Sequence, residues 1–543
     1  MKKFALLRFV FLTICLLPLS CSDYLREKPR DQLPEEEGYG NENDLYLNTV
    51  ATLYNYIGGY SDSQGLQGTY RGVYDLNTFT TDEAVLPTRG GDWYDGGFWQ
   101  GLYLHRWGKT NDAIRATWEY LYKVIVLSNR SLDKLARYGT GFDQGKIAAY
   151  CAEVRALRAL YYYYLMDLFG RIPLVLSSSV PMREVKQSER SEVFRFIIEE
   201  LQTVAAFLPA RRSNVSGPYY GRITRPVAYF LLAKLALNAE IYADDNWMDG
   251  VRPDGKTLFF QVDGNRSNAW ETVIAYCDSL TAFGYRLSPQ YADNFSIFNE
   301  PSVENIFTIP MDKVLYRNQM QYLFRSRHYN HAQAYGLSGE NGSSATPEAL
   351  RTFGYGTEAV DSRFDQCYFA GVVTDLHGDT VRLDNGKVLE YLPWKIALDL
   401  SGKPEEKTAG ARMKKYEVDE TATKDGKLMD NDIVLFRYAD VLLMKSEAKV
   451  RNGENGDFEL NAVRSRAGAP ERSADLPNLL AERQLEFAWE GWRRQDLIRF
   501  GLFTRPYSFR PRLPGEENGY TTVFPIPERV RELNPNLTQN PGY

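Results

Sequence analysis

The chain has 543 residues, 44% of them apolar and 25% charged, which is ordinary globular usage and excludes a disordered or collagen-like protein. Its 64 Lys+Arg against 70 Asp+Glu leave a net charge of −6, so there is no overall basic footprint for nucleic acid. Four His and five Cys argue against a disulfide scaffold or a dedicated metal enzyme, while 37 Tyr, 28 Phe and 9 Trp supply rings that can be half-buried with a wet polar edge.

At the N-terminus, Met1-Lys2-Lys3 and Arg8 precede the apolar run Phe9–Leu19, followed by Ser20-Cys21 and an abrupt polar turn. The run is too short to span a bilayer and reads as a secretion signal. A small residue followed by Cys looks like a bacterial lipoprotein cleavage site, so residues 1–20 are expected to be removed and Cys21 to carry the lipid. Residues 21–42, with the run Glu35-Glu36-Glu37, read as a charged tether. No later stretch reaches eighteen apolar residues, which leaves the lipid as the sole membrane attachment expected.

From Asp44 to Tyr56 the pattern becomes helical, and Trp118–Ala136 is a second helical segment. Three segments then resemble one another: Tyr150–Gly170, Arg225–Asp244 and Asp432–Gly453. Each sets small residues such as Ala152, Ala156 and Ala159 at helical spacing beside bulky ones. Each precedes an amphipathic partner: Ser188–Phe207, Asn268–Phe283 and Leu476–Phe500. Small residues let helices approach while neighbouring aromatics fill the gap, the logic of stacked helix-pair repeats. The irregular spacing makes this a mostly α scaffold of four helix pairs carrying large insertions.

Two insertions stand out. Thr80–Trp107 is rich in Gly, Trp and Tyr without helical period, and residues 285–430 are rich in Tyr, Gly, Asn and Asp. Within the second, Val381–Leu383 and Val388–Tyr391 around Asn385-Gly386 predict a small β-hairpin. Cys151, Cys277 and Cys367 sit in apolar surroundings and are expected to be buried free thiols, with one disulfide as the alternative.

Catalytic and metal motifs fail on detail. Gly139–Lys146 has the wrong glycine spacing for a phosphate loop, and Ile147 stands where Ser or Thr is required. Glu340 replaces the closing glycine of a nucleophile elbow at Gly336–Gly339. His328 and His331 lack a third ligand. Glu482, Glu486 and Glu490 recur at helical spacing, but Arg483, Arg493, Arg494 and Arg499 would keep them ionised. An ion-pair network follows from this, and not the protonated acid a glycosidase needs.

The segments FRYADVLLMKSEAKVRNG (Phe436–Gly453), NAVRSRAG (Asn461–Gly468), ERQLEFAWEGWRRQDLIRFG (Glu482–Gly501) and FPIPERVRELNPNLTQNPGY (Phe524–Tyr543) resemble the SusD/RagB family. The lipoprotein Cys followed by Asp23-Tyr24-Leu25 and the turn Phe169–Val175 fit the same family. The resemblance covers essentially the whole mature chain. It implies a SusD-like fold of four tetratricopeptide-like helix pairs with loop-rich insertions and minor β-hairpins. On that fold residues 43–284 form the N-terminal helical-repeat segment with the ligand loop, and 285–543 the C-terminal segment, together one compact unit. It further implies a non-enzymatic lipoprotein of a Bacteroidota outer membrane, facing the exterior, that captures oligosaccharides for a SusC-like TonB-dependent transporter. Neither cofactor nor metal is implied. A peptide-binding importer subunit of the same fold, or a surface glycoside hydrolase, are the alternatives.

A sugar ring has an apolar C–H face and a hydroxyl rim, so it binds where an aromatic plane stands beside charged or amide groups. The first insertion offers Trp93, Tyr94 and Trp99 as planes and Asp82, Arg89 and Asp92 as hydrogen-bonding partners. The ligand face is expected around Thr80–Trp99, with a second contribution from Tyr329–Asn341 that includes Tyr329, Tyr335 and Asn341.

Overall fold

The computed structural model describes residues 37–543. The signal segment, Cys21 and most of the tether lie outside the described residues. Helical structure begins at Glu42 and continues to Gly58, over the segment where the sequence predicts it.

The scaffold is a succession of helices, each started by a residue suited to the task. Helix α1 (Asp112–Tyr138) is capped by Asn111, whose side chain accepts from the Ala113 and Ile114 amides at 3.0 and 3.1 Å. Helix α2 (Gln144–Phe169) is capped by Asp143 and ends at Gly170, φ 67°. The segment Gly139–Lys146 is thus a short turn and a capped helix start. Helices α3 (Arg190–Ala205), α4 (Arg225–Leu237) and α5 (Ala269–Ala282) follow, with a capping box at Glu189/Glu192 and another at Asn268/Glu271. Each helix packs on the next, α1 on α2 through α4 on α5, and α5 then packs on α6 (Tyr438–Asn452). Helices α7 (Asp457–Arg466) and α8 (Leu476–Phe487) complete the stack against α6. The small residues at Ala152, Ala156, Ala159, Ala228, Ala236 and Ala239 are buried at these contacts, and Tyr161–Tyr164 lie wholly inside. One continuous apolar core runs from Leu45 to Ile526.

Two segments depart from expectation. Asp432–Gly453 is not helical throughout: Ile433–Arg437 is a strand, β2, paired antiparallel with β1 (Asn305–Ile309), Ile433 opposite Ile309. The run Ile-Val-Leu-Phe is apolar on both faces and fully buried, which suits a strand better than a helix. Leu476–Phe500 is likewise broken. Trp489 and Gly491 adopt left-handed φ of 65° and 76°, ending α8 and starting α9 (Arg493–Arg499) at a new angle.

Cys151, Cys277 and Cys367 are free thiols, the last two buried. The hairpin around Asn385-Gly386 is present, with Leu383 N–H donating to Lys387 O at 2.8 Å and Gly386 at φ 79°. Beyond the helices, described strands occur as two-stranded ladders. One of these places the two insertions: Ala84–Val85 pairs antiparallel with Ser344–Ala345, tying the first to the second. On the far side of Val85, Thr88 donates to Leu398 O and its carbonyl accepts from Leu400 N–H, at 3.0 and 2.9 Å. The 80–107 loop is therefore held between residues 340–346 and 398–410.

Candidate functional site

The aromatic loop is shaped by a tight turn. Arg89 and Asp92 exchange backbone hydrogen bonds at 2.9 and 3.2 Å, and Gly90 between them has φ 66°. Glycine suits this left-handed position, and its missing Cβ leaves room for the Glu406 carboxylate above it. The chain then passes through Trp93 at φ 63° and Asp95 at φ 42°. A left-handed tryptophan is a rare, strained conformation that persists only where surroundings impose it.

Those surroundings are visible. The Trp93 indole N–H donates to Glu340 O at 2.7 Å, and its ring lies against Gly342, where any Cβ would fall 2.7 Å from the ring. Tyr70 and Trp99 meet the ring edge-on at 6.0 and 5.9 Å. Gln100 Nε2 bonds both Thr88 Oγ1 and Trp93 O, at 2.8 and 3.3 Å, closing the turn from beneath. Trp93 is thereby left half-buried, and Tyr94 projects outward with 62% of its surface exposed.

Beside this aromatic pair lies a polar cluster. Tyr329, 37% exposed, donates its hydroxyl to Asp92 Oδ2 at 2.7 Å, and Lys407 Nζ reaches the same oxygen at 3.0 Å. Partial burial alone would raise Asp92, but the Tyr329 hydroxyl and the Lys407 ammonium together hold it below the usual carboxylate range. Tyr70 donates to Glu340 Oε2 at 2.5 Å, and burial raises that carboxyl. Arg71 bridges Asp62 and Asp95 at 2.9 and 2.7 Å on the neighbouring edge. Aromatic planes, charged groups and hydroxyls thus share one face.

Of the nine residues singled out from sequence, Asp92, Trp93, Tyr94 and Tyr329 come together on this face. The other five are buried and do not reach this face. Asp82 is clamped by Arg493 at 2.7 and 3.0 Å and by Arg505 at 3.1 Å, and against the penalty of burial these cations hold its carboxyl low. Arg89 spans the two flanking segments, donating to Glu406 O, Ser344 Oγ and Ala409 O, each at 2.9 Å. Trp99 is 1% exposed, its indole N–H on Asp95 at 2.8 Å. Asn341 is buried in a left-handed turn and accepts from Arg412 at 2.8 Å. Tyr335 bonds His331 at 3.0 Å and edges a separate cleft of about 810 Å³ with Phe369 and Val418. Asp82, Arg89, Trp99 and Asn341 build the loop's foundation, and Tyr335 belongs to the other cleft.

Sequence reasoning missed Tyr70, Arg71 and Lys407, and took in Glu340 only as part of the segment Tyr329–Asn341. Tyr70 and Arg71 precede the recognised loop, and Lys407 lies in a polar stretch with no periodicity. Only the fold brings them beside Asp92. The histidines set aside as ligands have other partners. His328 caps the short helix Tyr329–Gln333, and His331 bonds Tyr391 and Tyr335. The glutamates of α8 and the turn after it are fully engaged. Glu482 meets Arg363 and Arg464, Glu486 meets Arg363, Arg437 and Arg466, and Glu490 meets Lys415 and Arg437. All of these groups are buried.

Comparison with known proteins gives matches over both halves. A family model described as the SusD family matches residues 303–543, and one described as starch-binding associating with outer membrane matches residues 23–237. The starch-binding protein SusD of Bacteroides thetaiotaomicron is 25% identical over 530 residues, spanning 88% of this chain and 87% of that one. Among solved structures, a laminarin binding SusD-like protein superposes with TM-score 0.68 at 22% identity, covering 93% of this chain and 100% of that one. Surface glycan-binding protein A from Bacteroides thetaiotaomicron, in complex with laminarihexaose, gives TM-score 0.66 at 20% identity, covering 92% and 99%. At these identities the structural likeness establishes the fold.

Proposed function

The chain belongs to the SusD/RagB family, and from that premise we propose that it is a glycan-binding protein at the outer membrane, capturing oligosaccharides by binding and not by catalysis. The observation that carries this reading is the turn at Asp92–Tyr94: an outward tyrosine and a strained, half-buried tryptophan beside Asp92, Tyr329 and Lys407. The rings suit the C–H face of a pyranose, and the charged cluster suits its hydroxyls. The carboxylates a hydrolase reading would use, those of Glu482, Glu486 and Glu490, are each held by buried cations, which argues for binding over hydrolysis.

The test is calorimetry against a panel of neutral oligosaccharides, α- and β-linked glucans among them, with the wild type and with Trp93→Ala/Tyr94→Ala. Binding of at least one glycan, weakened by about 2 kcal/mol in a double variant that still folds, is expected. Equal affinity of the two proteins for the bound glycan would move the site away from this loop.

Within the same reading, Cys21 carries the lipid anchor and the protein serves a TonB-dependent transporter, facing the exterior. Cys21→Ala is expected to release the protein from the membrane fraction. A functional pairing with the transporter calls for a large interface, above about 1,000 Å². Purification from native membranes should therefore recover a β-barrel partner, and its absence counts against the pairing.

A further inference from the structure

A second cleft, of about 770 Å³, opens where the turn at residues 58–64 meets α1 and the loop 312–318. Its walls carry four tyrosines: Tyr120 is buried, Tyr56 is half-buried, and Tyr60 and Tyr316 are 56% and 46% exposed. Its charges are Lys123, from α1, and Arg317, from the loop. No carboxylate lines it. Among the described residues neither cation makes an ion pair, and Lys123 Nζ stands 4.7 Å above the Tyr56 ring. That sets the cleft apart from the Asp92–Tyr94 face, where each nearby cation, Lys407 and Arg71, already has its carboxylate.

The cleft is built and not incidental. Gln319 N–H donates to Gly59 O at 3.2 Å and its side-chain amide donates to Tyr60 O at 3.1 Å, tying the 312–318 loop to the turn. Gly59, at φ 75°, would place a Cβ 1.4 Å from Gln64 O, so the turn closes only with glycine there. A Cβ on Gly58 would meet the Asn318 side chain at 2.6 Å, which seats the end of the loop directly on the turn.

We propose that this cleft is a second saccharide site, selective for acidic sugars: the pyranose faces lie against Tyr56, Tyr60 and Tyr316, and carboxylate or sulfate-ester groups meet Lys123 and Arg317. Two uncompensated cations in a cleft without carboxylates favour an anion over the same sugar uncharged. The interaction weakens with salt because both groups reach solvent. Arginine can take either oxyanion with two parallel hydrogen bonds, and lysine serves as a point charge.

The experiment uses the full chain in calorimetry with three probes: a neutral oligoglucan, an oligogalacturonate and a sulfated galactan oligosaccharide. Polyaspartate serves as an anionic competitor without sugar. Lys123→Gln/Arg317→Gln replaces two exposed side chains and should keep the wild-type melting temperature. At least one acidic probe is expected to bind. Its affinity should fall roughly tenfold in the double glutamine variant and in high salt, and remain in Trp93→Ala/Tyr94→Ala. The uronate and sulfate arms identify which oxyanion the cleft takes. No binding of either acidic probe, binding insensitive to Lys123→Gln/Arg317→Gln, or equal competition by polyaspartate each overturns the proposal. None of these results touches the neutral-glycan reading of the Asp92–Tyr94 face, which is tested by different variants and a different probe.

Discussion

Two regions of the molecule use the same chemistry to opposite ends. Glu490 meets Lys415 at 2.6 Å and Asp92 meets Lys407 at 3.0 Å, so the pairs are close to matched in geometry. The first pair is 2% and 0% exposed, the second 37% and 42%. Around Glu486 the cations Arg363, Arg437 and Arg466 converge with Glu304, Glu482 and Glu490 into one buried lattice joining β2 to α7, α8 and the turn that follows. Removing these charges from water is costly, and the lattice is tolerable only because every member is matched. The exposed pair keeps most of its hydration and so contributes little to stability. It remains free to trade water for a ligand's hydroxyls. Burial, and not the identity of the charges, separates framework from candidate face.

The strongest way to break this contrast is Glu486→Ala, which leaves three buried guanidiniums short of a carboxylate. A loss of about 3–5 kcal/mol is expected, read as a lower midpoint in urea unfolding. A midpoint close to wild type would mean the lattice is redundant.

The pH dependence of stability sharpens it next. Against the penalty of burial, Arg499 and Arg451 pull Glu447 down to about 2. Its stabilisation is complete above the ordinary glutamate value of 4.5 and is lost as pH falls through the folded value. Two buried carboxyls outside the lattice behave in the opposite sense. Burial pushes Glu83 up to about 8 and Asp432 up to about 7. Their protonated forms fit the fold, so their contribution is full below the ordinary carboxylate range and is lost as pH rises toward those values. Stability should therefore be greatest in mildly acidic solution. Glu83→Gln should flatten the decline toward pH 8 by on the order of 2–4 kcal/mol, measured as melting temperature against pH. An unchanged slope would show that Glu83 is ionised in the folded protein.

On the exposed side, Tyr94→Ala alone is expected to cost about 1–2 kcal/mol of glycan affinity with no change in melting temperature. A stability loss would instead make Tyr94 part of the framework. The smallest effect belongs to Lys407→Ala. Stability should change by less than about 1 kcal/mol, measured in the same urea titration as Glu486→Ala, so that the two ion pairs are compared directly.

The sequence by itself determined the helical scaffold and the family. Small residues at helical spacing and the closing motifs are local patterns, and local patterns survive without knowledge of the fold. It also indicated that Glu482, Glu486 and Glu490 are ion-paired, but with the wrong cations: Arg483, Arg493, Arg494 and Arg499 of the same stretch go to Asp440, Asp82, Asp167 and Glu447, and the three glutamates are met by Arg363, Lys415, Arg437, Arg464 and Arg466 from other segments. Tertiary structure alone decided which residues of the aromatic loop face solvent. Asp82 is buried by Arg493 and Arg89 by Gly342 and Ala409, partners 253 to 411 positions away. A single chain carries no signal for pairings at such separation. The same holds for Ile433–Arg437: its apolar run fits a helix or a strand, and the choice fell to β1, which supplied an edge to pair with. Tyr70 and Lys407 joined the candidate face for the same reason. Loop residues are placed by what packs around them, and that is settled only when the whole chain has folded.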